Sequence, residues 1–117
     1  MLRLNMSAEP RWLELAPGLR IRVAPCTSSL MARARGADAI EALVAAGAAP
    51  ADLSIALAKE IGALAILDWE GVGDAAGKPL PLSPEAVERL MDLDDIAAAF
   101  WDRATAPVAA VAAEGNA

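Results

Sequence analysis

The sequence predicts a mainly α-helical domain of the α+β class, with a small N-terminal β-hairpin, four to five helices and a short central β-turn or hairpin. Three observations lead to this prediction. Apolar and polar residues alternate around a Pro-Gly pair near the N-terminus, alanine-rich segments with helix-start residues fill most of the rest, and a segment dense in glycine and proline, residues 68–85, interrupts them. The length of 117 residues suits a single small domain.

The N-terminal part predicts an arm followed by a hairpin. Residues 1–10 have no clear apolar period and are expected to form a flexible arm. Over residues 12–24, apolar and polar side chains alternate on both sides of Pro17-Gly18, whose order fits a type II turn. Because two strands alone are marginal in water, we expect this hairpin to pack on helices or to pair with another strand.

Two helices are predicted between the hairpin and the central segment. Thr27 can cap the first helix, over residues 27–46, and the apolar stripe loses its phase at Gly36, which favours a bend or break there. The second helix, over residues 50–67, is apolar on two faces, so we expect it to be sandwiched at the centre of the fold. Gly62 would allow a neighbouring backbone to approach this helix closely.

The central segment predicts a rigid turn and a new helix start. Asp74 is expected to accept local backbone hydrogen bonds, and Gly77 to adopt the left-handed conformation. Ser83-Pro84-Glu85 then combines an N-cap, a proline in the first turn and an acid near the helix N-terminus. The remaining predicted units are a helix over residues 83–92, a helix over residues 94–105, a flexible tail over residues 107–117 and a single globular domain over residues 11–106.

Charge is distributed unevenly along the chain, whose formal net charge is −6. Residues 1–35 contain six arginines and two glutamates, whereas residues 36–117 contain four basic and fourteen acidic residues. The acidic total, and the lack of aromatic interleaving among most of the arginines, argue against nucleic-acid binding. Lys59 and Glu60 interrupt the most apolar segment and no secretory signal is evident, so we expect a cytoplasmic protein without membrane contact.

The residue content offers little for catalysis or metal binding. The chain has no histidine and a single cysteine, Cys26, so neither a disulfide framework nor a Cys/His metal site can form within it. Without a histidine base, Cys26 is not a thiol catalyst of the usual kind. Asp94 and Asp95 are better explained as a helix cap that also complements the helix dipole than as cation ligands. We therefore expect no enzyme activity, no cofactor and no bound metal.

Residues 71–78 are similar to a phosphate-binding loop in composition but not in spacing. Such a loop needs a glycine where Val72 stands and a serine or threonine where Pro79 stands. Pro79 also lacks the backbone N–H that would help to bind phosphate. We therefore expect these glycines to form a turn and not a nucleotide site.

The few aromatic residues are the strongest candidates for contacts with another protein. Phe100 and Trp101 are adjacent, and neighbours on a helix lie about 100° apart, so both cannot face one core. An exposed tryptophan beside an apolar helix groove is typical of interface hot spots. Core packing remains the alternative for each aromatic residue.

The order of turns and caps along the chain carries a family resemblance. With the N-terminal hairpin and the helix start at Thr27, the sequence resembles the small tail assembly chaperones of tailed phages and phage-like gene transfer agents, over roughly residues 12–116. Lys78 departs from the small polar residue expected in the central turn. The other features that carry the resemblance are Trp69-Glu70-Gly71-Val72, Asp74 and Gly77, Pro79-Leu80-Pro81, Ser83-Pro84-Glu85, Ile96–Phe100 and Glu114-Gly115-Asn116.

The resemblance implies a protein-binding function. A chaperone of this family binds the tape measure protein before the tail tube polymerises around it, so the expected partners are the tape measure protein and, as a second candidate, the tail tube protein. By analogy with the family, the candidate partner-binding residues are Trp69, Leu80, Phe100 and Trp101. A homo-oligomer also stays open.

Two alternatives to a chaperone stay open from the sequence. One is a structural virion component, such as a tail completion or connector protein. The other is a small helix-turn-helix regulator that would use the helices over residues 83–92 and 94–105, against which the acidity of that segment argues.

Overall fold

The computed structural model has α+β architecture, as predicted, and describes residues 1, 3–4, 9–105 and 110–111. Among these residues, two strands of a three-stranded sheet precede three helices, and the third strand lies between the third and the fourth of five helices. A short pair of terminal strands is added to them. The elements of this described part are β1 (Arg3–Leu4), β2 (Arg11–Ala16), β3 (Leu19–Val23), α1 (Ser28–Arg35), α2 (Asp38–Ala45), α3 (Pro50–Ala65), β4 (Ile66–Glu70), α4 (Pro84–Leu90), α5 (Asp94–Ala104) and β5 (Ala110–Val111).

The three-stranded sheet is antiparallel, with the order β2–β3–β4. Strands β2 and β3 form the predicted hairpin, in which Ala16 pairs with Leu19 across the turn and Gly18 has a φ of +80°. Strand β3 also pairs with β4, where Ile21 lies opposite Trp69. The hairpin thus gains the third strand that its own marginal stability required.

Strand β4 corrects the predicted end of the second helix. We predicted helix as far as Leu67, whereas α3 ends at Ala65 and Ile66 begins the strand. A short apolar run of this kind fits a helix or a strand, and pairing with the distant strand β3 decides between them. The register shifts between Arg22 and Val23, so Leu67 is an extra, exposed residue that hides the alternation typical of a strand.

The helices surround α3. A break at Gly36 divides the predicted helix over residues 27–46 into α1 and α2, as the loss of apolar phase indicated. Helix α3 contacts α1, α2, α4 and α5, which confirms its sandwiched position. A Cβ on Gly62 would lie 3.1 Å from Cγ1 of Val87, so the close neighbour is a side chain of α4 and not the backbone that we predicted.

One hydrophobic core joins the sheet to the helices and extends from Leu15 to Ala104. The inner face of the sheet and the inner faces of α3, α4 and α5 meet in it. Burial of these side chains is the main stabilising contribution, at about 25 cal/mol per Å² of apolar surface. Its largest fully buried side chains are Phe100, Ile21, Ile61, Met91 and Val23.

Two of the three predicted side-chain caps of helices are observed. The Thr27 side chain accepts a hydrogen bond from the Leu30 amide at 3.2 Å, and Ser83 Oγ accepts one from the Ala86 amide at 3.1 Å. For α5 the expected carboxylate cap is wrong, because the N-cap is Leu93 and makes no side-chain hydrogen bond. Asp94 and Asp95 lie instead in the first turn, where they complement the helix dipole.

The outer face of the sheet is charged, and its signs alternate from strand to strand. Arg20 in the middle strand forms an ion pair with Glu70, with an N–O distance of 3.4 Å, and faces Glu14 on its other side. Its guanidinium also lies 4.7 Å from the centre of the Trp12 ring. A face of this composition is compatible with exposure to water.

Parts of both predicted flexible ends lie outside the described residues. Within the described residues, Arg3 of the arm pairs with Val111 of the tail, in the short antiparallel pair of β1 and β5. No helix in the described ranges is long and apolar enough to cross a membrane.

Candidate functional site

A concave surface lies between α3 and α5 in the described part of the chain. It is a groove of about 500 Å³, a volume within the range of sites that accept several apolar groups. Its apolar lining comes from Ile55 and Ala58 of α3 and from Ala97, Ala98 and Trp101 of α5. Such a lining can bury the apolar face of another helix, which makes the groove the candidate functional site.

Helix α5 is held against the sheet from its C-terminal end. Arg11 donates a hydrogen bond to the Arg103 carbonyl at 2.8 Å, and the Arg103 guanidinium donates to the carbonyl of Glu14. These bonds tie α5 to β2, which is otherwise an edge strand of the sheet. These hydrogen bonds fix the position of α5, which forms one wall of the groove. They also cover the edge strand β2.

The adjacent aromatic residues of α5 divide between the core and the groove. Phe100 is completely buried, whereas Trp101 is partly buried and lines the groove. Because a turn of about 100° separates them, only Phe100 is fully inside the core, whereas Trp101 packs against the same core from its edge. Trp101 therefore presents the exposed part of its ring to the groove.

Small and exposed residues complete the groove. Ala58 is buried beneath it, and Ala98 is exposed at its border, so a partner backbone could come close to α5. Ile55 on the facing helix is 45% exposed and adds aliphatic surface to the groove. An exposed apolar surface with these features is typical of a binding site for another protein.

The polar border of the groove is acidic. Asp94 and Asp102 line it from α5, and Ser54 lines it from α3. The nearby Lys59 of α3 is engaged elsewhere, in an ion pair with Asp92 at 2.7 Å. This interaction lowers the pKa of Asp92, mainly through the hydrogen bond from the lysine. The charges that face an occupant of the groove are thus negative.

Two of the four predicted contact residues lie together in the central segment. Trp69 is 8% exposed, and its indole Nε1 donates a hydrogen bond to the Leu80 carbonyl at 2.8 Å. Leu80 is partly buried and packs against the core. Neither residue lines the groove, so the structure groups Trp69 with Leu80 and leaves Trp101 as the groove residue.

The central turn has the geometry that the sequence predicted. The Asp74 side chain accepts hydrogen bonds from the amides of Ala76 and Lys78, at 2.9 and 3.0 Å, and Gly77 has a φ of +83°. The Leu80 amide donates to the Val72 carbonyl, which closes a small hairpin. Amides that would have to bind a phosphate are therefore already bonded to Asp74.

The titratable groups of the described residues provide no second site. Burial raises the pKa of the Cys26 thiol, and the nearby Arg11 acts in the opposite direction. This thiol therefore stays protonated at neutral pH, and a protonated thiol is a poor nucleophile. Among the described residues, no group of three or more cysteine, aspartate and glutamate side chains could hold a metal ion.

Residues 27–116 match the YdaY prophage protein family. The chain belongs to this family. Comparison with curated proteins and with solved structures gives no match.

The range that matches the YdaY family includes the whole groove. It begins at the N-cap of α1 and includes all five helices, strand β4 and every residue that lines the groove. The hairpin of β2 and β3 lies before it. The candidate site is therefore built entirely from the part of the chain by which the YdaY family is recognised.

Sequence reasoning missed most of the groove in this YdaY family protein. The second apolar face predicted for the helix over residues 50–67, which includes Ile55, was a usable signal, but the sequence did not connect that face with α5. Ala58, Ala97 and Ala98 gave no signal of their own, because alanine is common on every face of these helices. Asp94 was assigned only to the helix start.

Proposed function

We propose that this prophage protein is a non-enzymatic tail assembly chaperone that binds the tape measure protein in the cytoplasm before the tail tube polymerises around it. The observation that carries the proposal is the apolar groove between α3 and α5, with Trp101 in its wall. Membership in a prophage family supports a role in the phage life cycle. The resemblance of the turns and caps to tail assembly chaperones supports the more specific role.

The groove suits a partner that is long, helical and prone to aggregate, as a tape measure protein is. Such a partner exposes amphipathic helices until the tail tube encloses it. A groove lined by alanines lets a helix approach closely, and a partly exposed tryptophan supplies the large contact area found at interface hot spots. Truncation of a hot-spot residue costs about 2 kcal/mol or more in binding free energy, about a 30-fold change in affinity.

The four contact residues now have different proposed roles. Trp101 contacts the partner directly from the groove wall. Phe100 supports that wall from the core, since it is completely buried. Trp69 and Leu80 stabilise the central hairpin through the indole hydrogen bond, and through it the start of α4. The tail tube protein remains a second candidate partner, and a homo-oligomer remains open.

The geometry supports protein binding better than nucleic-acid binding. The first turn of α5, which would enter the major groove in a helix-turn-helix protein, carries Asp94 and Asp95. These carboxylates would lie close to the DNA phosphates and repel them.

Co-expression with the tape measure protein tests the proposal. The protein and the tape measure protein encoded by the same prophage are produced together, one of them affinity-tagged, and the purified fraction is examined for a stoichiometric complex. We expect a complex, and we expect the tape measure protein to remain soluble only when the chaperone is present. A tape measure protein that is soluble alone and does not co-purify would contradict the proposal.

Mass spectrometry of mature phage particles separates a chaperone from a structural virion component. A chaperone leaves before the tail is complete, so its peptides should be absent from purified particles but present in the lysate from which they came. Peptides at a level comparable to the tail tube protein would identify a virion component instead.

A further inference from the structure

The groove between α3 and α5 has a charge pattern that indicates the chemistry of its occupant. The polar residues on the α5 side are Asp94 and Asp102, and no basic side chain lines the groove in the part of the chain that the structure describes. Residues eight apart on a helix are separated by about 12 Å along its axis, or about two turns. The apolar floor is thus bordered by two carboxylates at a fixed spacing.

We propose that the groove binds an amphipathic helix whose apolar stripe is flanked by two lysine or arginine residues about two turns apart. The apolar stripe lies over Ala58 and Ala97 and against Trp101, and the basic residues reach the two carboxylates. This inference rests on the proposed function only for the identity of the protein that carries the helix. The chemistry of the helix itself is inferred from the residues that line the groove.

Segments of the chain itself fit this description poorly. Residues 106–117 contain no basic residue and one glutamate, and residues 1–9 contain a single arginine, Arg3. In a second copy, α1 presents Arg33 and Arg35, which lie only about 3 Å apart along the helix axis. Each of the other described helices carries at most one basic residue. The occupant is therefore a helix of another protein.

Peptide binding to the full chain tests the charge pattern. The probe is a fluorescently labelled synthetic helix of about 18 residues, long enough to be helical when bound, with a leucine stripe and two flanking lysines two turns apart. The comparison peptide carries glutamate at both lysine positions. We expect the lysine peptide to bind at least about ten-fold more tightly at low salt, and its advantage to shrink as salt is added.

Matched variants distinguish the effect of the groove carboxylates on peptide binding from the effect of the protein's net charge. Asp94→Asn combined with Asp102→Asn should weaken binding of the lysine peptide by about three- to ten-fold. The control combines Asp38→Asn with Glu88→Gln, which changes the net charge equally at exposed positions outside the groove. Asp38 also begins α2 as Asp94 begins α5, so both pairs remove one acid from a first helical turn.

A third variant tests the groove as the binding site without removing an acidic residue. Ala98 is exposed on α5 and lines the groove, so Ala98→Arg should block it sterically and repel the lysines without disturbing the core. Ala63→Arg places the same side chain on an exposed position of α3 outside the groove and should bind the peptide like the wild type. Circular dichroism confirms that each variant is folded before it is compared.

Failure of this inference can be distinguished from failure of the proposed function. If the glutamate peptide binds as well as the lysine peptide, or if the groove variants bind like the wild type, the inference is overturned even when the tape measure protein co-purifies. If the lysine peptide binds as described but the tape measure protein does not co-purify, the inference stands and the proposed function fails. Concentration-dependent dimers that exclude the peptide would show that a second copy occupies the groove.

Discussion

Gly71 lies directly against the backbone of Gly18. A Cβ built on Gly71 would overlap the Gly18 carbonyl oxygen and would lie 2.9 Å from its carbonyl carbon. Both glycines have positive φ angles, +84° and +80°. The turn of the β2–β3 hairpin and the end of β4 are therefore fitted together through two residues without side chains, where the chain leaves the sheet for the central hairpin.

Gly71→Ala should be strongly destabilising. The variant would combine a left-handed conformation, at about 1–2 kcal/mol, with a clash against main chain that cannot move without disturbing the sheet. We expect a loss of about 3–5 kcal/mol in the free energy of unfolding, measured by urea denaturation. Gly77→Ala is the matched control, because Gly77 has a φ of +83° but no atom within 4 Å of its Cβ position. It should lose only about 1–2 kcal/mol, and equal losses at both positions would disprove the fit at Gly18.

The effect of Gly62→Ala on the free energy of unfolding should change sign when the residue at position 87 is changed. In the wild type the new methyl group would lie 3.1 Å from Cγ1 of the buried Val87, whose branched side chain has little freedom to move. We expect the clash to outweigh the helix-propensity gain of about 1 kcal/mol, with a net loss of about 1 kcal/mol. In a Val87→Ala background the same change should stabilise by about 1 kcal/mol. A double-mutant cycle without this coupling would contradict the packing.

Trp69→Phe tests the bond between β4 and the central hairpin. The change keeps an aromatic ring but removes the indole N–H that donates to the Leu80 carbonyl at 2.8 Å. Leu80 is only partly buried, so water can replace the donor at a cost of about 1 kcal/mol. Because Trp69 is buried and the phenyl ring is smaller, we expect a total loss of about 2–3 kcal/mol in unfolding free energy. Hydrogen exchange of the Leu80 amide, which closes the hairpin, should also become faster. Unchanged exchange would show that the hairpin does not depend on Trp69.

Local signals predicted much of this fold, because the hairpin, the helix caps and the central turn are specified by neighbouring residues. The turn at Asp74 and the cap at Ser83 need no distant contact, and both are observed where the sequence predicted them. Strand β4 was missed because its pairing partner is distant in sequence and its bulge at Leu67 hides the alternation. Propensity favours neither state there, so tertiary pairing decides.

The groove was less predictable than the fold. Helical geometry showed that Phe100 and Trp101 must face different directions, but it did not show which one faces outward. That choice depends on how α5 is rotated against α3 and the sheet, and hence on contacts such as those of Arg103 with β2. Ile55 became a candidate only when the structure brought its face of α3 beside α5.

Acid should weaken the contribution of Asp92 to stability. Its pKa is lowered in the folded protein, mainly by the hydrogen bond from Lys59 and with a smaller contribution from its charge, so the folded state binds this proton less readily than the unfolded chain does. The stabilisation is therefore present above the ordinary aspartate pKa of about 3.9 and is lost as pH falls through the lowered folded value. The difference in unfolding free energy between wild type and Asp92→Asn should shrink on acidification. In a Lys59→Met background, which removes the hydrogen-bond donor, this difference should already be smaller at neutral pH.

The most direct test of the proposed chaperone function is quantitative co-purification of the tape measure protein with groove variants. The wild type and Ala63→Arg should retain it in equal amounts, whereas Ala98→Arg and Trp101→Ala should each lose most of it. For Trp101→Ala, a hot-spot loss of about 2 kcal/mol or more corresponds to about 30-fold weaker binding. Trp12→Ala, on the outer face of the sheet, controls for loss of a tryptophan. Retention by the groove variants at the wild-type level, or no retention by the wild type, would contradict the account.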